Sequence, residues 1–178
     1  AAIPGDRNPL SLHFRMAYSF VAGDVLTGVL NGSGELFWDW GTVWETKGPH
    51  QTTLIRLVQR LLRLRKGLAR EYLLFGKMIR PISYQTGGMF RLVRKDDTVV
   101  EYPEVLSSAW EGEDGRRVQL FVNFTDSDKT VTLETSCIPV TEQGDLEPVL
   151  ELKVGKFDVA MVKLGTSTCD NQEFSLET

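Results

Sequence analysis

Between residues 50 and 80 the chain changes its repeat. Leu54, Leu57, Leu61, Leu64 and Leu68 fall at alternating three- and four-residue steps, and Ile55, Val58 and Leu62 widen the stripe. Arg56, Gln59, Arg60, Arg63 and Arg70 take most of the remaining positions. A 3.6-residue period with one apolar side predicts an amphipathic surface helix of about five turns, from near Thr52 to near Arg70. From Leu73 that period is gone. Short apolar runs follow at 89–94, 99–102, 105–110, 118–124, 130–133, 146–152 and 157–164, separated by Gly87-Gly88, Asp96-Asp97, Glu113-Asp114-Gly115, Asp126-Ser127-Asp128, Gly144-Asp145 and Gly155-Lys156. Strands at roughly ten-residue spacing predict an antiparallel sandwich. Val118, Leu120, Val122 and Phe124 alternate with their neighbours as in a strand buried on one face. The chain therefore reads as α+β, with helical signals first and strand signals after.

Upstream, residues 9–30 are apolar on most sides. Leu12, Met16, Ser19, Phe20 and Gly23 recur at helical spacing, with Asn8-Pro9 as a helix start. Gly23 and Gly28 break the segment into a helix to about Ala22 and a short element from Val25 to Leu30. Such a segment needs cover on several sides. Asn31-Gly-Ser-Gly34 is a turn, and Leu36-Phe-Trp38 reads as a short strand.

Composition removes several classes of function. A net charge of −4 and a leucine stripe opposite the arginines argue for a solvated helix face and against nucleic acid. The stripe spans too few heptads, with too many extra apolar positions, for a coiled coil. No run is long and apolar enough for a membrane span. Two distant cysteines, Cys137 and Cys169, do not make a disulfide framework, and the two histidines, His13 and His50, show no metal-ligand spacing. No cofactor is expected. The chain begins Ala1-Ala2-Ile3-Pro4-Gly5, with neither an initiator Met nor a basic leader, and reads as a processed product or a fragment.

The segment Glu35-Leu-Phe-Trp-Asp-Trp-Gly-Thr-Val-Trp-Glu45 holds three of the four tryptophans. Aromatic rings stack on the C–H faces of sugars, and carboxylates bind hydroxyls or do acid–base work. Trp38, Asp39, Trp40, Trp44 and Glu45 are therefore the candidate carbohydrate-binding residues. Asp39 is the one candidate for a catalytic carboxylate, although glycoside hydrolysis needs a second carboxylate at a set distance. The competing reading has these tryptophans packing a seam, with Asp39 capping a turn. Asp24, after Val21-Ala-Gly23, reads as a turn or cap residue. His13 and Arg15, inside an apolar helix, read as buried hydrogen-bonding residues. Asn31-Gly-Ser33 and Asn123-Phe-Thr125 have the form of glycosylation acceptors.

The order of these elements resembles the end of a glycoside hydrolase: the last β/α units of a (β/α)8 barrel, followed by the β-sandwich that many such enzymes carry. The resemblance rests on Phe75-Gly-x-Met-x-Arg-Pro81 and on Ser107-Ser-Ala-Trp110…Gly115-Arg-Arg-Val-Gln-Leu-Phe-Val-Asn-Phe-Thr-Asp126, and covers about three quarters of the chain. It implies a terminal piece of a barrel over 1–75, an accessory antiparallel β-sandwich over 76–165, and a frayed tail over 166–178. A full barrel needs roughly 250 residues, and about 75 precede the β region. The implied partners are a carbohydrate and the remainder of the barrel, which would supply the main catalytic residues. The alternative is a non-enzymatic carbohydrate-binding or interaction module whose aromatic cluster is the binding face.

Overall fold

The first apolar segment forms helix α1 (Ser11–Val21), which stops where a glycine lets the chain reverse. A computed structural model describes residues 10–26, 29–30, 36–37, 49–93, 97–133, 139–140 and 151–164. Gly23 takes φ +83°, a region that a Cβ disfavours. Its N–H bonds to the Phe20 carbonyl, and the Asp24 N–H bonds to that of Ser19, the paired closure of a Schellman motif. At the other end Leu10 holds the cap position without a side-chain cap. The expected start at Asn8-Pro9 lies outside the described residues. His13, Phe14, Met16, Ala17, Phe20 and Val21 are buried, so the helix is covered on several sides.

Strands β1 (Val29–Leu30) and β2 (Leu36–Phe37) pair antiparallel, with Val29 opposite Phe37. The long helix α2 spans Pro49–Lys66. It starts earlier than its periodicity predicts and ends at Gly67, a poor helix former. Buried Ala69 then leads into a short second helix, α3 (Arg70–Phe75). Leu54, Leu57 and Leu61 are buried as the stripe predicts, whereas Leu68, beyond the end of α2, is 60% exposed.

The strand region begins with β3 (Lys77–Ile79) and β4 (Tyr84–Gln85), which are too short to show a period. β5 (Met89–Val93) and β6 (Val99–Pro103) form a hairpin. β7 (Val105–Glu111), β8 (Arg117–Asn123), β9 (Lys129–Leu133), β10 (Pro139–Val140), β11 (Glu151–Val154) and β12 (Asp158–Leu164) complete the order. One sheet runs β10-β12-β8-β7-β3 and a second β11-β9-β4. Every strand pairing among the described residues is antiparallel. The protein is thus α+β, with a sandwich-like arrangement of antiparallel sheets.

The five-stranded sheet is covered on both faces, which corrects the one-sided reading of β8. Val118, Leu120, Val122 and the following Phe124 share one core with Phe14, Phe20, Leu54, Leu57 and Leu61 of the helices. Phe121, between them, belongs to a second core with Val131, Leu133 and Val154 of the smaller sheet. The polar neighbours Gln119 and Asn123 are fully buried as well. Phe14 keys the first core: its ring lies 4.6 Å from Tyr102, 5.4 Å from Phe124 and 5.5 Å from Phe90. Each such aromatic pair contributes about 0.5–1.5 kcal/mol beyond its buried area. The pairs with Tyr102 and Phe90 fasten the β5–β6 hairpin to α1, and the pair with Phe124 fastens α1 to the end of β8.

Candidate functional site

Trp38, Asp39, Trp40, Trp44 and Glu45 lie outside the described residues, as do Asn31, His50's side chain, both cysteines and the tail from 165. β2 ends at Phe37, directly before Trp38 in the chain.

The three other polar residues singled out near the N-terminus occupy defined places. His13 is buried; its Nε2 lies 3.0 Å from Thr53 Oγ1 and its ring 4.8 Å from that of Phe157. It joins α1, α2 and the turn between β11 and β12, as expected of a buried hydrogen-bonding histidine. Arg15 is half-buried, and its Nη1 is sequestered without a hydrogen-bond partner among the described residues. Asp24 serves through its backbone. Its carbonyl accepts from Arg65 Nη1 at 2.9 Å, and the Gly23 carbonyl accepts from Arg65 Nη2 at 3.1 Å. Arg65 is itself buried, so one arginine of the basic helix holds the end of α1. Periodicity alone did not single it out, because its acceptors are carbonyls distant in sequence.

Both stretches behind the glycoside-hydrolase resemblance lie where helices meet sheet. Gly76 is the hinge from α3 to β3. A Cβ there would lie 2.6 Å from the Tyr72 carbonyl and 2.7 Å from that of Glu111, so no larger residue fits without backbone movement. Trp110 donates from Nε1 to Ser108 Oγ at 2.9 Å, and the far edge of its indole fills the space beside Gly23. Asn123 is fully buried and uses both ends of its amide. Nδ2 donates to the carbonyls of Ser127 (2.8 Å), Val154 (3.0 Å) and Gly155 (3.1 Å). Oδ1 accepts from the Thr125 N–H (3.0 Å) and the Thr125 hydroxyl (2.7 Å). The Asn123-x-Thr125 triplet is therefore a clamp on two turns and offers no acceptor to a glycosylating enzyme in the folded chain.

Ion pairs tie the same layers together. Arg60 of α2 meets Asp158 at 2.9 Å and donates to the Phe157 carbonyl at 3.1 Å. Hydrogen bonds from Lys77 and then Arg117 hold the Glu111 carboxyl below its usual range. Burial pushes the Tyr84 phenol up to about 12 while its hydroxyl donates to the Val105 carbonyl at 2.8 Å.

On the outer side of the smaller sheet lies an open groove of about 440 Å³. Gln85, Thr86, Glu104, Asp128, Lys129, Thr130 and Thr132 line it with Gly87, and among the described residues no apolar side chain contributes. The sequence hid this site. Asp128 read as turn punctuation, Glu104 sits between two strands, and Thr130 and Thr132 fall inside a short run predicted as a strand. Among the described residues no group of His, Cys, Asp and Glu is arranged to hold a metal ion, and no helix is long and apolar enough to cross a membrane. No family model matches the chain, and no curated protein matches it.

Proposed function

We propose that this chain is the C-terminal part of a glycoside-hydrolase-like protein, in which the β-sandwich is an accessory domain that stabilises the end of a barrel. The observation that favours this reading is the role of the residues that carry the resemblance. Gly76, Trp110, Asn123 and Thr125 are joints, each fixed by close backbone approach or by buried hydrogen bonds. Residues of that kind suit a domain whose task is to hold helices in place. The exposed Leu68, Leu74 and Phe75 around α3 offer apolar surface to the remainder of such a barrel.

On this reading the Trp38–Glu45 segment contributes part of a sugar site, with Trp38, Trp40 and Trp44 as stacking rings and Asp39 and Glu45 as hydroxyl acceptors. The paired carboxylates that cleave the glycosidic bond come from outside the chain. Aryl-glycoside assays on the 178-residue chain and on the product of its full reading frame test the proposal. Turnover by the longer product and none by the chain alone is expected. Turnover by the chain alone, abolished by Asp39→Asn, overturns it, and so does inactivity of both.

A further inference from the structure

We propose that the outward face of α2 docks the protein onto an anionic phospholipid surface, through Arg56, Arg63 and Lys66 together with Arg70 of α3. The site goes beyond the barrel reading and does not depend on it. The helices of a barrel form its outer ring, so this face stays outermost in a longer protein as well.

Thr52, Arg56, Gln59, Arg63 and Lys66 are all exposed. Alternating four- and three-residue steps set them in one stripe, opposite the buried Leu54, Leu57 and Leu61. Among the described residues Arg56, Arg63, Lys66 and Arg70 have no ion pair or side-chain hydrogen bond. The other two arginines of α2 are engaged: Arg60 with Asp158, and Arg65 with the Gly23 and Asp24 carbonyls. Between residues 56 and 80 eight Lys and Arg meet one carboxylate, Glu71, and that one is paired with Arg116 at 3.2 Å. This stretch carries +7, so in a chain of net charge −4 everything else together carries −11. Such an imbalance turns α2 toward a negative surface and holds the remainder of the molecule away, beyond the roughly 8–10 Å over which charges act at moderate salt.

The make-up of the face selects the partner. A folded protein partner would bring an apolar centre to the contact, and none of the five outward side chains of α2 is apolar. A nucleic acid would call for rings that stack on bases or for side chains fixed against base edges. The stripe has no ring, and its cations are tethered to nothing among the described residues. The leucines of α2 are committed to the core, so the helix lies on the headgroups and does not enter the bilayer. What remains is attraction by charge alone, and a fluid bilayer brings its anionic headgroups to wherever the cations reach. Clusters of about four to eight Lys and Arg on a helix suffice for such attachment, each worth about a fivefold factor. With four, the attachment is weak and reversed by salt.

Co-sedimentation of the full chain with phosphatidylcholine vesicles, with and without about 30% phosphatidylserine, tests the proposal. At about 50 mM salt the chain should pellet with the anionic vesicles and stay in solution with the neutral ones, and about 500 mM salt should release it. Arg56→Gln/Arg63→Gln should weaken the partition about 25-fold. The charge-matched Arg91→Gln/Lys153→Gln, in β5 and β11, should leave it within about twofold. All four side chains are exposed, so circular dichroism should report the native fold in both variants. No binding to anionic vesicles at low salt, equal binding to neutral ones, or retention at high salt overturns the proposal. So does an equal loss in the two variants, or tighter binding to duplex DNA or polyglutamate than to the vesicles. Aryl-glycoside turnover is a separate readout, so failure here leaves the barrel proposal to its own assay.

Discussion

Gly23 and Trp110 share one volume: a methyl group built on Gly23 would lie 2.6 Å from Cη2 of the indole. Two penalties therefore fall on Gly23→Ala. The backbone at φ +83° disfavours any side chain, and the new carbon collides with a ring held by its bond to Ser108. Each costs of order 1–3 kcal/mol. Urea unfolding should show a loss of at least about 2 kcal/mol. Trp110→Phe, in the Gly23→Ala background, should recover part of it by vacating that space. A variant as stable as wild type would contradict the packing described.

Asn123→Ala should be among the most damaging single changes. It removes the side-chain donor to the Val154 and Gly155 carbonyls and the acceptor of the Thr125 N–H in a buried place, while the Thr125 hydroxyl keeps the Ser127 carbonyl as a partner; leaving such groups unpaired costs about 1–3 kcal/mol each before relaxation. A loss of about 3–5 kcal/mol is expected by chemical denaturation. Asn123→Asp should be no better, because an acceptor would then face three carbonyls. When the chain is expressed in a glycosylating host, peptide mapping should find Asn123 unmodified in the folded fraction. Full occupancy there would refute the clamp.

The basic helix contains two kinds of arginine, and one comparison separates them. Arg65→Met leaves the Gly23 and Asp24 carbonyls without their donor and should cost about 1–3 kcal/mol. Arg63→Met, on the exposed side, should stay within about 0.5 kcal/mol of wild type. Equal effects in thermal or urea unfolding would show that Arg65 is not the tie between α2 and α1.

Alkaline titration isolates Tyr84. Its folded value of about 12 stands above the ordinary 10.0. A group raised in this way contributes stability that is complete below pH 10 and is lost as the pH climbs toward 12. Wild type should therefore lose stability more steeply than Tyr84→Phe between pH 10 and 12, with lysine titration cancelling in the difference. Parallel slopes would contradict the burial of the phenol.

The strands of the second half were legible because their alternation spans four or more residues. Met89–Val93, Val105–Glu111, Arg117–Asn123 and Asp158–Leu164 all fall within a residue or two of their apolar runs. β3 and β4 are too short to carry a period, and only their partners β7 and β9 make them strands. The second face of β8 was hidden because Gln119 and Asn123 are polar. Their burial depends on acceptors and donors at Ile82, Ser107, Val154 and Gly155, far away in sequence. The groove stayed hidden for the same reason: β4 and β9 lie almost fifty residues apart and meet only in the sheet.

The two-sided cover of β8 bears on how this protein can be cut. A version beginning at residue 76 would lose α1, α2 and α3 and would turn Val118, Leu120, Val122 and Phe124 to water as one continuous apolar row. A contiguous apolar surface of this kind is a site for association with other copies. The helices thus act as a built-in chaperone for the sheet, and shortened versions should be recovered from inclusion bodies, with soluble material restored when the helical segment is supplied alongside.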